Sequence, residues 1–395
     1  MKKKIELLSP AGDFRSLNAA IKAGCDAVYL GLKDFNMRDN AKNFSFEELG
    51  EIKKTAGKVK VYLTLNTIIY DEELKTIEKL IKKVKNKVDA IICWDLSVIQ
   101  LCKKYHIPFH ISTQASVANS KAALFYKKLG ASRIILAREL NLKQIKKISK
   151  ITPAEVFIHG ALCVSESGRC FTSQFLHCKS ANRGQCKQPC RKSYTVRDEE
   201  GNELRIQNSK IFSAKDLCTL PFIEKLKKAG VTAFKIEGRN REPEYVYQVT
   251  RIYRKALDKK LTKKEIKESL KELEKVYNRE FSSGFFLKTP TADDFTKTDS
   301  GNQTQTKEFI GKISHYWDKI GVASLKLSHG KLKIGDKIYV IGNNTFFKHK
   351  ISSLQINHKP VSQALKGQEV AVSLPKCREN DELYLIKDKK GDLLK

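Results

Sequence analysis

Eight short apolar segments rich in β-branched residues alternate with amphipathic helical segments, and this alternation constrains the fold more than any other feature of the chain. The predicted strands are residues 5–9, 26–32, 60–66, 89–95, 108–114, 133–139, 155–160 and 233–238. Continuous apolar strands that alternate with helices are typical of a parallel sheet covered by helices. Eight such repeats predict an α/β fold, a closed (β/α)8 barrel of the TIM type. An open, doubly wound sheet is the alternative.

The polar residues at the carboxyl ends of these strands are the candidates for function, because active sites of such barrels lie at that face. They include Arg38, Asn66, Gln114, Arg138, His159, Glu237 and Arg239. Asp13 also follows a strand, but it directly precedes a helix and is interpreted as that helix's N-cap.

Residues 154–194 contain five of the ten cysteines. Six residues separate Cys163 from Cys170, fifteen separate Cys170 from Cys186, and three separate Cys186 from Cys190. Glycines and a proline between them permit tight turns, so four thiolates can converge on one metal or cluster. The stretch follows strand seven at the open face of the barrel, a position that favours a site taking part in chemistry.

Several kinds of cysteine site fit such a stretch. The paired CxxC knuckles typical of zinc are absent, so the spacing favours an iron–sulfur cluster. The third cysteine of the radical S-adenosylmethionine motif is missing after Cys190, which argues against that chemistry. Cys178 and Cys218 are possible substitute ligands. A thiol protease that pairs Cys163 with His159 is a further alternative, although the sequence indicates no third group to orient them.

The chain is strongly basic, with 75 Lys and Arg against 44 Asp and Glu and a formal net charge of +31. This excess predicts a polyanionic partner, most simply RNA; a generally lysine-rich proteome is the alternative explanation. No run of eighteen apolar residues and no signal peptide are evident, so we expect a cytoplasmic protein without a membrane partner. In that reducing compartment, clustered cysteines indicate metal or redox chemistry.

The pattern predicts two domains. Residues 1–285 form the catalytic barrel, with a cysteine-rich insertion at 161–218 and trailing helices at 242–279. After a polar linker at 286–306, period-two alternation over 307–395 predicts a small all-β barrel. Its aromatic residues, interleaved with basic ones, either stack on RNA or form the domain's own core; they are Tyr316, Trp317, Phe346 and Phe347.

Long segments of the chain closely resemble the collagenase-like peptidase family. They include ELLSPAGDFRSLNAAIKAGCDAVYLG at the start, EVFIHGALCVSESGRCFTS at 155–173, ANRGQCKQPCR at 181–191 and KIEGRNREPEYV at 235–246. The resemblance covers the whole predicted barrel. The family was named for a proteolytic activity, but it also contains prephenate-dependent RNA hydroxylases and accessory proteins of ubiquinone hydroxylation.

The resemblance implies a 4Fe-4S cluster held by Cys163, Cys170 and Cys186 and, as in the RNA-modifying branch, by Cys190. The compact length and basic C-terminal domain resemble the tRNA wobble-uridine 5-hydroxylases, which work without molecular oxygen and use prephenate as the hydroxyl donor. The implied partners are tRNA and the iron–sulfur assembly machinery; the oligomeric state is left open. A collagenase-like peptidase, a ribosomal RNA hydroxylase and a non-catalytic RNA-binding protein are the alternatives.

This implied reaction suggests roles for the candidate residues. Guanidinium groups pair bidentately with carboxylates, and prephenate carries carboxylates. The predicted substrate-binding residues are Arg38, Asn66, Arg138 and Arg239. Proton transfer at the pyrimidine needs titratable or hydrogen-bonding groups. The predicted catalytic residues are His159, Glu237 and Gln114.

Overall fold

Eight parallel strands close into a barrel in a computed structural model, which describes residues 4–39, 41–195, 197–203, 212–297 and 301–389. The barrel strands are β1 (Glu6–Pro10), β2 (Ala27–Gly31), β3 (Lys60–Thr64), β4 (Ala90–Cys93), β5 (Phe109–Ile111), β6 (Arg133–Ile135), β7 (Ala154–Gly160) and, after the short β8 (Asp216–Cys218), β9 (Ala233–Ile236). Strand β9 pairs with β1 on one side and with β7 on the other. The predicted (β/α)8 barrel is confirmed, and the open-sheet alternative is wrong.

Helices cover the outside of the barrel. They are α1 (Phe14–Lys22), α2 (Leu49–Ala56), α3 (Leu74–Val84), α4 (Leu96–Lys104), α5 (Ser120–Lys128), α6 (Leu142–Ser149), α7 (Thr172–His177), α8 (Ile223–Lys228), α9 (Pro243–Asp258) and α10 (Lys263–Glu274). Asp13 is the N-cap of α1, as predicted, because its carboxylate accepts the Ser16 backbone N–H at 2.8 Å. Within the described ranges, every helix is too short or too polar to cross a bilayer.

Two barrel strands are less than half as long as predicted. The segment predicted at 108–114 is a strand only over Phe109–Ile111, and Gln114 lies in a single 3-10 turn. The segment predicted at 133–139 ends as a strand at Ile135. Leu136 and Ala137 are nonetheless buried. The apolar pattern therefore continues past the strand, because residues at the barrel mouth are also covered.

The connection from β7 to β9 covers the open end of the barrel. It contains α7 and β8, which pairs antiparallel with β7 and parallel with β10 (Phe281–Ser282). Residues 196 and 204–211 of the predicted insertion, and 298–300 of the predicted linker, lie outside the described residues. The rest of that linker is packed in place: Thr296 N–H donates to Ser213 O and Lys215 N–H to Asp294 O, both at 2.8 Å.

The C-terminal part is an antiparallel all-β domain, as predicted; residues 390–395 lie outside the described part. Its strands are β11 (Gln305–Trp317), β12 (Val322–Lys326), β13 (Lys331–Lys333), β14 (Lys337–Ile341), β15 (Phe346–Lys350), β16 (Leu354–Ile356), β17 (Lys359–Pro360), β18 (Gln363–Leu365), β19 (Glu369–Ser373) and β20 (Glu382–Asp388). Eight of them form one sheet in the order β15-β14-β20-β11-β12-β19-β16-β17, and β13 pairs with β18.

The two domains share part of their hydrophobic core. Phe346 is 1% exposed and lies in the same apolar cluster as the barrel core, with its ring centroid 5.0 Å from that of Tyr247 on α9. An ion pair at 2.6 Å joins Arg15 of α1 to Glu382 of β20. Phe346 is therefore an interdomain packing residue and not a surface for RNA stacking, whereas Trp317 is 43% exposed.

Charged side chains fill the amino-terminal end of the barrel interior. Arg133 Nη1 lies 2.6 Å from Glu6 Oε1 and 3.1 Å from Glu155 Oε2. Lys235 Nζ lies 3.2 Å from the other oxygen of Glu155, whose side chain is fully buried. Buried charges are tolerated only when they are paired, so the carboxylate of Glu155 depends on these two cations.

We expect Glu155→Gln to destabilise the protein, because Arg133 and Lys235 would lose the carboxylate that compensates them inside the barrel. Removing one partner of a buried ion pair lowers the free energy of unfolding by about 3 kcal/mol or more. Urea unfolding measures this difference. Glu78→Gln is the control, since its exposed pair with Lys104 should leave the midpoint unchanged. Equal midpoints for both variants would contradict the prediction.

Candidate active site at the barrel mouth

A cavity of about 710 Å³ lies between the carboxyl ends of the barrel strands and the cysteine-rich insertion. All predicted site residues except His159 line it: Arg38, Asn66, Gln114, Arg138, Glu237, Arg239, Cys163, Cys170, Cys186 and Cys190. They come from loops after six different strands. Closure of the barrel therefore brings together residues that are up to 201 positions apart in the sequence.

Glu237 lies among three arginines that we call the inner arginine group: Arg38, Arg138 and Arg239. Arg38 donates from Nε and Nη2 to Glu237 Oε1 at 3.2 and 3.0 Å. Burial alone would raise the pKa of Glu237, but the positive charges of the inner arginine group outweigh burial and lower that pKa below its ordinary value. Glu237 is thus a carboxylate at neutral pH, and it neutralises only part of the surrounding positive charge.

The other two inner arginines are held with less compensation. Burial lowers the pKa of Arg239 to about 10, and its Nη1 donates to Thr64 Oγ1 at 3.0 Å. Burial also lowers the pKa of Arg138. Among the described residues, the buried Nε and Nη2 of Arg138 have no hydrogen-bond partner, and its guanidinium lies 4.6 Å from the Phe157 ring centroid. Unsatisfied buried donors are costly, so the Arg138 guanidinium is suited to bind a small anion.

Two amide side chains form another wall of the cavity. Asn66 Nδ2 lies 3.4 Å from both Gln114 Oε1 and Ser112 Oγ, and Ser112 also hydrogen-bonds Gln114. The side-chain oxygen Asn66 Oδ1 accepts the Met37 backbone N–H at 3.2 Å. Amides offer both donors and acceptors but no titratable proton. Gln114, predicted as catalytic, can therefore orient a substrate but cannot act as its acid or base.

The insertion is seated directly on the barrel mouth. Arg183 Nη1 lies 2.9 Å from Glu73 Oε2, and the Asp39 N–H donates to Gly184 O at 3.1 Å. Gly184 has φ +92°, and a Cβ there would collide with the carbonyl oxygen of Asn36. This position requires glycine because the two loops touch through their backbones.

The four predicted cysteine ligands line one side of the cavity. Burial raises the pKa of Cys190, and the nearby thiols of Cys163, Cys186 and Cys170 raise it further, whereas the charge of Arg191 opposes them. Burial also acts to raise the pKa of Cys170, but hydrogen bonds, chiefly from Thr172, outweigh burial and lower it. All four cysteines line the same cavity, and Cys190 is near enough to the other three thiols for their charges to act on it.

The four thiols are available as ligands. All ten cysteines are in the described part of the chain, and none is in a disulfide. In that part, no three His, Cys, Asp or Glu side chains converge tightly enough to hold one metal ion. A zinc ion needs each sulfur about 2.3 Å from a common point. In an iron–sulfur cluster the thiolates bind different irons, and four cysteines on one cavity are the donor set that such a cluster takes.

His159 lies behind the cavity wall, unlike the other predicted residues. It is 1% exposed, its Nδ1 is 3.3 Å from Tyr253 Oη, and its ring packs against Tyr245 and Phe281. Burial lowers the pKa of His159 to about 3, so the imidazole is neutral. The structure gives His159 a packing position instead of the acid–base position predicted from the sequence, because the end of β7 turns its side chain towards α9.

Four cationic residues of the cavity were not predicted: Arg191, Lys235, Arg241 and Arg279. The spacing of two residues along β9 and its extension relates Lys235 to Glu237 and Arg239. This period-two pattern could have identified Lys235 from the two predicted residues. Arg279 carries no such signal, because it follows α10 and reaches the cavity only through the pairing of β10 with β8.

Comparisons with known proteins agree with the predicted resemblance. The model of peptidase family U32 matches residues 12–296. The chain is 42% identical over 404 residues to an uncharacterized protease of Methanocaldococcus jannaschii, covering 97% of this chain and 98% of the relative. It is 38% identical over 404 residues to a collagenase of Porphyromonas gingivalis, covering 96% and 97%. It is 33% identical over 369 residues to tRNA hydroxylation protein P1 of Bacillus subtilis, covering 89% and 87%.

The lowered pKa of Glu237 predicts a pH-dependent contribution to stability. A carboxyl whose pKa is depressed by folding stabilises the protein above its ordinary pKa, here 4.5, and this stabilisation is lost as the pH falls through the folded-state value. Glu237→Gln removes that titration. We therefore expect the variant to lose less unfolding free energy than the wild type between about pH 7 and about pH 4.

Urea unfolding at the two pH values provides the measurement. Glu51→Gln on the exposed face of α2 is the control, and it should retain the wild-type difference. An identical loss of unfolding free energy in wild type and Glu237→Gln would show that the inner arginine group does not depress this pKa.

Proposed function

This chain belongs to peptidase family U32, and we propose that within that family it is an RNA-modifying enzyme. Its proposed reaction is oxygen-independent hydroxylation of the wobble uridine of tRNA at C5, with prephenate as the hydroxyl donor and a 4Fe-4S cluster at the active site. One observation carries the proposal: the four cysteines, the inner arginine group and the amide pair all face one cavity. The similarity to a protein named for tRNA hydroxylation supports it.

The proposed cluster ligands are Cys163, Cys170, Cys186 and Cys190. When bound, the cluster would supply Lewis-acid and electron-transfer chemistry at the cavity wall. The protein's own contribution there is electrostatic. Arg38 and Arg138 lie near enough to Cys163 for their charges to interact with that of its sulfur.

The inner arginine group is the proposed site for the carboxylates of prephenate. Arg138 has unused donors inside the cavity, and a guanidinium binds a carboxylate through two parallel hydrogen bonds. Glu237 holds Arg38 in place through two hydrogen bonds. Because Glu237 offsets only one of the three positive charges, the group retains enough charge to attract an anionic donor.

The uracil base would lie against the amide wall. Uracil presents both acceptors and a donor along its edge, and the Asn66 and Gln114 amides offer the complementary groups. Glu237 is the ionised carboxylate closest to this chemistry in the proposal, and it would accept a proton only after anion binding has changed the charge around it.

Peptide hydrolysis is the second candidate, because two of the relatives are named as a protease and a collagenase. A thiol protease needs an imidazole within hydrogen-bond reach of its nucleophile. His159, which the sequence places beside Cys163, is instead hydrogen-bonded to Tyr253 in a buried position. This candidate predicts peptide cleavage that survives removal of iron, whereas the proposed hydroxylase loses its activity.

We expect protein purified without oxygen to contain about four irons and four acid-labile sulfides per chain, with broad visible absorption. Replacing Cys163, Cys170, Cys186 or Cys190 by Ser should lower the iron content sharply. Cys178→Ser is the matched control, since Cys178 is an exposed thiol of the same insertion, and this variant should retain its iron. A colourless wild-type protein that contains zinc would contradict the proposal.

We expect cells that lack this gene to lose a 5-hydroxyuridine-derived nucleoside from their tRNA, as measured by mass spectrometry of digested tRNA. Restoring the gene as Arg138→Met should give little modification, and the purified variant should need at least about tenfold more prephenate for half-maximal rate. Loss of a nucleoside from ribosomal RNA instead would identify an rRNA hydroxylase. No change in either RNA, with RNA binding intact, would indicate a non-catalytic RNA-binding protein.

A further inference from the structure

A second set of three arginines lies on the wall of the cavity formed by the insertion. We call it the outer arginine group: Arg191, Arg241 and Arg279, all of which line the cavity. None of them belongs to the inner arginine group, and the proposed chemistry at the uracil and prephenate does not use them. Their contacts show which of the three are available to a ligand.

Arg191 has its hydrogen-bonding capacity occupied by the insertion. It donates to Leu162 O at 2.6 Å, to Ala214 O at 2.7 Å and to Ser213 Oγ at 3.2 Å. These bonds fix the loop that carries the cysteines. Arg191 therefore contributes positive charge to the outer arginine group but is not a free donor.

Arg241 and Arg279 instead lie against an aromatic ring. Their guanidinium carbons are 3.7 and 5.1 Å from the Tyr277 ring centroid. Stacking holds a guanidinium in position while its N–H groups remain available. Arg279 is 7% exposed, and its hydrogen bond to Gln188 Oε1 is long, at 3.5 Å.

The outer arginine group is short of negative charge. Asp216 is the one carboxylate within 4 Å of these guanidiniums among the described residues, and its Oδ1 lies 3.8 Å from Arg279 Nη1, beyond hydrogen-bond range. That buried oxygen has no hydrogen-bond partner in the described part of the chain. Three cations against one poorly engaged carboxylate leave a surplus of positive charge, which a bound anion would compensate.

The two arginine groups contact different parts of the fold. The inner group contacts strand residues and their ends, such as Thr64 on β3 and Phe157 on β7. The outer group contacts the insertion and the segment after α10. The four cysteines line the same cavity as both groups. The cavity thus holds two separate groups of arginines.

We propose that Arg241 and Arg279 bind a backbone phosphate of the RNA nucleotide whose base enters the cavity. A nucleotide that is extruded into a pocket places its base and its phosphates at separate positions. The Asn66 and Gln114 amides line the cavity from the ends of barrel strands, whereas Arg241 and Arg279 stack on Tyr277, after α10. Guanidinium groups bind phosphate oxygens bidentately. The inference rests on the proposed RNA substrate and separates its phosphate site from the site of the carboxylate donor.

The test is the salt dependence of RNA binding by the full-length protein. Fluorescently labelled, unfractionated tRNA is titrated at several KCl concentrations, and binding is followed by anisotropy. Arg241→Met should weaken binding about tenfold and reduce the slope of log affinity against log salt by about 0.7 for one lost contact to a single strand. Arg279→Met should act in the same way, and Arg241→Lys should retain most of the slope.

Two controls separate this site from the rest of the protein. Lys104→Met removes an exposed charge on α4, on the outer face of the barrel, and should leave the slope unchanged. Arg138→Met should change the prephenate requirement but not the slope. If Arg279→Met fails to fold by circular dichroism, Arg241→Met is decisive by itself, because Arg241 is partly exposed and lies on the surface of the cavity.

The outcomes distinguish this inference from the proposed function. A folded Arg241→Met protein with wild-type affinity and slope overturns the phosphate site, whatever nucleoside the cells contain. A reduced slope for the purified Arg241→Met protein supports the phosphate site. If cells that lack the gene also keep every tRNA nucleoside, the phosphate site stands and the tRNA-hydroxylase proposal is overturned instead.

Discussion

Strand β9 is hydrogen-bonded to both β1 and β7, and the organisation of the active site depends on this closure. Alternate residues of β9 and its extension point into the barrel, so Lys235, Glu237 and Arg239 form a column along its axis. Lys235 pairs with Glu155 in the charged layer below. Glu237 binds Arg38 at the mouth above. One strand therefore links the charge network that stabilises the barrel to the one that forms the cavity.

Both arginine groups of the cavity carry more positive than negative charge. In the inner arginine group one carboxylate, Glu237, faces three guanidiniums, and in the outer group Asp216 faces three more. Such an imbalance costs folding free energy unless anions bind. It is therefore better explained by ligand binding than by stability. The four cysteines line the same cavity as these two groups.

The family includes proteins named as proteases and proteins named for tRNA hydroxylation, and the geometry bears on that division. A peptidase site needs a nucleophile paired with a base, but the histidine next to Cys163 in sequence is enclosed by aromatic rings. The cavity offers anion sites, amides and grouped thiols. In the proposed function, these groups recognise a small dicarboxylate and a nucleotide.

The sequence by itself determined the (β/α)8 barrel and the all-β C-terminal domain. Of the eleven predicted site residues, it also identified ten that line the cavity, because strand periodicity and the strand-end rule are local patterns. It did not determine the direction in which the His159 side chain points, nor that Phe346 joins the barrel core. Only tertiary structure decided these, and it also brought Arg279 to the cavity. Such contacts depend on packing between segments far apart in the chain, for which no local pattern provides a signal.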